Sequence, residues 1–506
     1  MSANRIPTCD EVIEVGIWGQ DANLDDPHAV EKDAREYVEQ RWDKIVEDVA
    51  RLVRVESTEA LGEATESAPF GPGPRAALDE ALSLAGEMAL DTHDCEGRIG
   101  YADLPGASDV QVGVIGHVDV VPAGPGWTVQ PFDVTRREGY LMGRGVADDK
   151  GPLVIALHAV NFWRERLAAR GLVFPYSIRV LFGANEETNM NDVAYYRAHY
   201  EDPAFLFTPD AEFPVCYGEA GICSGTLTFK RAASADEAGI VDLVGGVAVN
   251  AVPGEADARI RLRDGMAAPS STSAVSVSAC ENGEVALHAT GKSAHASTPD
   301  QGINAIGVLA RFLLDNDLCA DGEREFVALL ARACDSPDGS AFGVACSDDA
   351  FGALTSVLGM VRTTRDPKTG DLTFSQSIDF RYPTCTTSSE IEQAVREAVA
   401  SCGASFAMGH DKEPFTMGAD SPAIEALLSA YNQVTGESAQ PFTMKGGTYA
   451  RMFSRAASFG PEKPWESKPD WAGSMHGPDE AIAEDLLKEA FVVYAVAIGK
   501  LMEVQL

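Results

Sequence analysis

The stretch "VIGHVDVVPAG", Val114 to Gly124, sets His117 and Asp119 two positions apart at the end of an apolar run. In an extended strand such residues share a face, so the imidazole and the carboxylate point one way while Val118 and Val120 point into the core. Alone, the pair reads as a strand-end histidine steadied by a neighbouring acid. Further acids fall at comparable places. "GRGVADDKGP" puts Asp148 and Asp149 just before a helix, "GANEETN" puts Glu186 and Glu187 after the strand "IRVLF", and "FLFTPDAEFP" puts Asp210 after another apolar run. The exits of parallel strands are where open α/β sheets build their sites. So many carboxylates in one place are strongly unfavourable without compensating cations. An imidazole-plus-carboxylate set suits zinc, and manganese or cobalt fit the same ligands. A bridging carboxylate lets two divalent ions sit about 3.5–4 Å apart as a hydrolytic pair. One histidine is too few for two ions, and "GSMHGPDE" supplies His476.

The elements that must position these residues follow from the periodicity. Up to about Phe213, apolar strands ("DVQVGVIG", "YSIRVLFGA", "PAFLFTPD") alternate with helical stretches. One of these, "GPLVIALHAVNFWRERLAARG", has Pro152 near its start and Gly171 after its end. Such alternation predicts an α/β fold, a mostly parallel sheet covered by helices. Between about Gly218 and Glu413 the texture changes to short alternating strands, such as "SGTLTFKR" and "LTFSQSIDFR", with helices between them, which predicts an inserted α+β domain. From Pro414 a helix, the Gly-rich turn "KGGTYAR" and a closing helix return. The expected organisation is therefore 1–217 and 414–506 as one catalytic domain, with 218–413 inserted.

Composition narrows the function classes. The chain has 506 residues and a formal net charge of -37, which disfavours nucleic acid and anionic membrane surfaces as partners. The opening "MSANRIPTCDEVIEVGIWGQ" lacks the pattern of a secretory signal, so the expected location is the cytoplasm. "FVVYAVAIG" is far shorter than a membrane span and reads as a buried helix. Ten cysteines without CxxC pairs predict reduced thiols and no disulfide framework.

The series "GHVDVVPAGPGW", "GRGVADDKGP", "EET", "TPDAEFPV", "GKSAHASTPDQGINAI", "GGTYAR" and "MHGPDE", in this order, resembles the co-catalytic zinc peptidase family that includes aminoacylase, acetylornithine deacetylase, carboxypeptidase G and carnosinase. "TPDAEFPV" with the following "GEAG", the large middle insertion and "GGTYAR" are similar to its peptidase V branch of dipeptidases. The resemblance spans Val114 to Glu480 and implies a helix-sandwiched sheet with a ferredoxin-like lid. It implies that His117 and Asp210 hold one metal ion, Glu187 and His476 the other, and that Asp148 bridges both. Asp119 would accept a hydrogen bond from His117 and fix its tautomer. Asp148-Asp149 is a candidate cis peptide. Glu186 would be the general base that takes a proton from the activated water and passes it to the departing amine. From the insertion, His295 would stabilise the tetrahedral intermediate and Arg381 would fork onto the substrate's terminal carboxylate. Asn250, Gly447 and Thr448 would complete the substrate contacts.

His158, inside "LVIALHAV", reads instead as a packed histidine. His28, His93, His199, His288 and His410 have no partner motif. Asn185 departs from relatives, which commonly carry an acid before the glutamate pair. The resulting expectation is a metallodipeptidase with two divalent ions, acting on dipeptides or short peptides as a self-sufficient monomer with the insertion as its lid. An N-acyl amino acid deacylase is the alternative within the hydrolases. A non-catalytic peptide-binding protein is the alternative outside them, at odds with an intact ligand and base set.

Overall fold

The alternating apolar runs fold into the sheet whose ends carry the acids. The computed structural model describes residues 16–19, 27–232, 238–280, 283–320 and 322–506, so most of the opening stretch read for a secretory signal lies outside the described residues. The chain packs into two compact units. One runs to Tyr217 and resumes over Met417–Phe442 and Thr448–Leu506, and the other comprises Gly218–Thr416 and Thr443–Gly447.

The first unit contains helices α1 (Pro27–Val53), α2 (Pro72–Glu87), α3 (Lys150–Arg170), α4 (Asn191–His199), α5 (Pro422–Thr435) and α6 (Glu484–Leu501). Its main strands are β1 (Asp91–Cys95), β2 (Ile99–Leu104), β3 (Gln111–His117), β4 (Ser177–Gly183), β5 (Phe205–Thr208) and β6 (Ala456–Ser458), in the spatial order β1-β2-β4-β3-β5-β6. β4, β3, β5 and β6 pair in parallel. β1, β2 and β4 pair antiparallel, as does Cys216–Glu219 against β6, so the sheet is parallel at its centre and antiparallel on both flanks. The flank follows from chain length. Only a tight turn separates Cys95 from Ile99, too little chain for the crossover a parallel pair needs.

The central strands are buried on both faces, as Val112, Val114 and Ile115 of β3 show. α3 packs on β3 and against both α1 and α6, and α5 packs against α6. It stops where Gly171 adopts a left-handed conformation, with φ of 63°, that a side chain would disfavour. "FVVYAVAIG" forms the buried part of α6, and among the described residues no helix is long and apolar enough to cross a membrane.

The second unit has its own core. Its eight-stranded sheet includes the long strands Gly221–Arg231, Thr355–Arg365 and Leu372–Tyr382, paired antiparallel. Burial alternates residue by residue along Gly221–Arg231 and Glu255–Arg261, the pattern of a sheet with one covered face. The helices Ala305–Asp315, Arg324–Asp335 and Ser388–Ala400 contribute to that core, the last opened by a capping box of Thr387 and Glu390. This is an α+β unit whose sheet extends beyond a β-α-β-β-α-β ferredoxin-like core.

Candidate active site

The chain leaves β3 through α3 to β4 on one side of it, then returns through α4 to β5 on the other. Neighbouring connections therefore diverge at the carboxyl end of β3, which opens a crevice there. His117 is the last residue of β3, and Asp119 lies two beyond. Glu186 and Glu187 follow the end of β4 by three and four residues, and Asp210 follows β5 by two. Asp148 precedes α3 and is joined to Asp149 by a cis peptide bond. His476, with φ of 63°, comes from the loop before the strand Ala481–Ala483.

These residues converge. His117 is fully buried, with its Nε2 2.9 Å from Asp148 Oδ1 and 3.8 Å from Asp210 Oδ2. His476 Nε2 lies 2.9 Å from Asp148 Oδ2 and 3.1 Å from Glu187 Oε2. The two oxygens of Asp148 thus face different imidazoles. Ligand-type atoms of His117, Asp148 and Glu187 all lie within 4.8 Å of one another, as do those of His117, Glu186 and Asp210. Glu186 therefore stands as close to the cluster as the residues assigned to the metal.

The donor set fits a cation. His117 Nδ1 lies 2.9 Å from the main-chain oxygen of Asp119. A carbonyl only accepts, so Nδ1 carries a proton and Nε2 faces two carboxylates with its lone pair unless a second proton or a metal ion intervenes. Burial foremost, then the neighbouring carboxylates, pushes Glu186 and Asp210 well above the usual carboxyl range. Burial and Asp148 likewise raise Glu187. Burial opposes ionisation of Asp148 too, but hydrogen bonds from His117 and His476 hold it well below the usual range. His476, hydrogen-bonded to Asp148 and Glu187, is raised to about 11. The crevice concentrates negative charge and holds protons where divalent ions would replace them.

Asp119 does more than the spacing suggests. Its carboxylate is 3.6 Å from His117 Nδ1 and instead accepts the main-chain N–H of Glu186 at 3.2 Å and of Glu187 at 3.1 Å. It orients the glutamate pair through the backbone, and its carbonyl, not its carboxylate, sets the His117 tautomer. Asp119 thus receives the His117 ring through its main-chain oxygen.

Other residues escaped the sequence reading. Glu480 is fully buried and pairs with Arg144 at 2.5 Å. Its other oxygen accepts the amides of Gly145 and Ala147 at 3.0 Å and of Asp148 at 3.3 Å. Arg144 also donates to the His476 carbonyl at 3.1 Å. One ion pair thus fastens the Asp148 segment to the His476 segment. Both residues lie inside quoted motifs, but nothing in either motif marks them as partners. Asp149, fully buried, accepts the His117 amide at 3.1 Å. Tyr449 donates to Asp192, which accepts the amides of Ala184 at 2.7 Å and Asn185 at 3.1 Å at the exit of β4. Asn185 donates to Glu59 at 2.8 Å and lies 2.6 Å from Thr188 Oγ1. An acid at this position would oppose Glu59. His158 is buried in α3, 3.0 Å from Asp48.

Within the second unit, Ala251 pairs with His295 across a short antiparallel ladder, which places Asn250 beside the histidine. The Ser297 amide donates to His295 Nδ1 at 3.2 Å. Arg381 is buried, with Nε 2.8 Å from Asp379 Oδ1 and Nη1 donating to the Lys445 carbonyl at 3.0 Å. Gly447 is half-buried and ends the Thr443–Gly447 piece of this unit. Thr448, in the first unit, accepts the Ala450 amide at 3.1 Å and lies 3.1 Å from Ser458 Oγ, contacts that account for its burial.

The comparisons with known proteins agree with this geometry. The profile of peptidase family M20/M25/M40 matches residues 113–500. The Beta-Ala-Xaa dipeptidase of Lactobacillus delbrueckii subsp. lactis is 31% identical over 477 residues, covering 92% of this chain and 98% of that protein. Human carnosine dipeptidase 1 superposes with a TM-score of 0.55 at 13% identity, over 94% of this chain and 100% of its own. The dipeptidase Dug1p of Saccharomyces cerevisiae gives 0.56 at 13% identity, over 95% and 100%. At such identities the two structures speak for the mixed α/β fold. The profile, matched over most of this chain, and the relative, matched along most of its own length, go further: the chain belongs to peptidase family M20/M25/M40 and is a metallopeptidase.

Proposed function

We propose that the protein is a dipeptidase with a two-metal site, acting as a single chain in the cytoplasm on free dipeptides or short peptides. The observation that carries this reading is Asp148, whose two oxygens each lie 2.9 Å from a different imidazole. In this reading His117 and Asp210 would hold one ion and Glu187 and His476 the other, with Asp148 shared between them. Zinc suits the ligands best, with manganese and cobalt compatible. When bound, the ions supply Lewis acidity toward the scissile carbonyl and acidify a water.

The chain's own groups do the rest. Glu186 takes the proton from the attacking water and delivers it to the leaving amine, a task suited to a carboxyl held above its ordinary range. The inserted unit serves as the lid and brings His295 and Arg381 to the substrate. Because the Ser297 amide donates to His295 Nδ1, a neutral ring carries its proton on Nε2, as a donor to the oxyanion must. Arg381, fixed by Asp379, binds the terminal carboxylate, with Asn250 and the Gly447-Thr448 turn as further contacts. The similarity to the Lactobacillus Beta-Ala-Xaa dipeptidase supports a dipeptide substrate.

The test is a panel of α-linked dipeptides, β-alanyl dipeptides, tripeptides and N-acetyl amino acids, given to metal-loaded protein beside a chelated sample. Dipeptide turnover lost on chelation is the expected result. Cleavage confined to N-acetyl amino acids would move the protein to the deacylases.

A further inference from the structure

The second unit holds a feature that peptide hydrolysis does not use. Cys346 and Cys385 are 39 positions apart in the chain, yet their side chains are neighbours close enough to interact. A separate set of contacts holds them there. Asp348, two residues after Cys346, accepts both the amide and the hydroxyl of Thr384, the residue before Cys385, at 2.8 and 2.7 Å. Its other oxygen accepts the amides of Ala350 and Phe351 at 3.0 and 2.7 Å, closing the small hairpin of Ser347–Asp348 and Gly352–Ala353. One thiol is accessible and the other sheltered: Cys385 is exposed and Cys346 half-buried.

We propose that Cys346 and Cys385 are a modification site, a thiol pair that peroxide converts to a reversible disulfide. The exposed Cys385 sulfur attacks hydrogen peroxide, the O–O bond breaks, and a sulfenic acid and one water form. The Cys346 sulfur then displaces the hydroxyl as a second water, its own proton leaving with that water, and the S–S bond closes. The two thiols lose two electrons and two protons, and the peroxide is reduced to two waters. A dithiol reductant reverses the change. Burial raises the Cys346 thiol to about 12, which suits the resolving partner better than the first nucleophile.

The bond has a structural consequence inside this unit. It fastens the 347–353 hairpin to the end of the strand Leu372–Tyr382 that carries Arg381. That hairpin is already tied to Lys445, whose ammonium donates to the Ala353 carbonyl at 2.7 Å and whose carbonyl receives Arg381. Disulfide formation is independent of which peptide bond the protein cleaves.

The experiment uses the full-length, metal-loaded protein. It is treated with a few equivalents of hydrogen peroxide, quenched with an alkylating agent and mapped without reduction. The expected result is a peptide pair cross-linked between Cys346 and Cys385, with two of the ten thiols lost on titration under denaturing conditions and both recovered with dithiothreitol. In Cys346→Ser, Cys385 should instead accumulate sulfenic acid, read as a several-fold rise in dimedone labelling over the parent. The proposal is overturned if Cys385 proceeds to sulfinic or sulfonic acid in the parent while Cys346 stays alkylatable, or if neither residue reacts.

Discussion

Glu186 and Glu187 are neighbours with different surroundings, and the difference is the most direct handle on the chemistry. Glu187 is 3.1 Å from His476, whereas Glu186 groups with His117 and Asp210. If Glu186 shuttles protons rather than holding metal, Glu186→Gln lowers kcat on dipeptides by about 100- to 10,000-fold and leaves the bound metal per chain unchanged. Mass spectrometric metal analysis beside the kinetics tests both halves; a fall in metal content would make Glu186 a ligand. Asp192 offers a test by pH. Burial foremost, and the Asp119 charge, raise its carboxyl to about 6 in the fold, above the usual value near 4. The folded form therefore binds the proton more tightly. The stability this residue lends is full below about pH 4 and is lost as pH rises through about 6. In urea melts at several pH values between these limits, the parent should lose stability as pH rises while Asp192→Asn shows a flatter dependence; equal pH dependence in the two would contradict this. The positions of the acids at strand exits were legible from periodicity alone. The direction of Asp119's carboxylate was not, because period-2 reasoning assigns a face and not a hydrogen-bond partner.

At the scale of elements, the site depends on loops that several strands and helices hold from behind. The Arg144–Glu480 ion pair joins the Asp148 loop to the His476 loop with both charges buried and the other Glu480 oxygen accepting three amides. Glu480→Gln keeps the shape and removes the charge. It is expected to weaken metal binding about 10- to 100-fold, measured by competition with a chromophoric chelator, while the overall fold persists by circular dichroism. An unchanged affinity would reduce the pair to packing. The α3 boundaries could be read from Pro152 and Gly171, since the cap chemistry is local. The antiparallel flanks and this ion pair could not, because their partners are far apart in the chain. The departure at Asn185 also resolves at this scale. Its amide serves Glu59 and the turn at Thr188, so the substitution tunes the support of the glutamate loop.

At the scale of the molecule, the residues assigned to the metals all belong to one unit, while the second keeps a core of its own. Removing the ions should therefore loosen one unit selectively. In hydrogen exchange after chelation, amides of β3, β4 and the loops that follow them should exchange faster, and those of Thr355–Arg365 and Leu372–Tyr382 should keep their protection. Uniform loss of protection across both units would contradict that expectation. The change of texture near Gly218 was visible as a shift from long apolar runs to alternation, since a doubly buried strand and a half-buried one differ in composition. The interruption of the first unit has a further consequence, in the order of synthesis. A ribosome emits His117, Asp148, Glu187 and Asp210, then all of the strands from Gly221 to Lys412, and only afterwards His476 and α6. The larger piece of the inserted unit, Gly218–Thr416, is complete while the first unit still lacks His476 and a core helix. If the proposed ligand set is right, the nascent chain cannot complete its metal centre until His476 has been made, one of the last steps of its making.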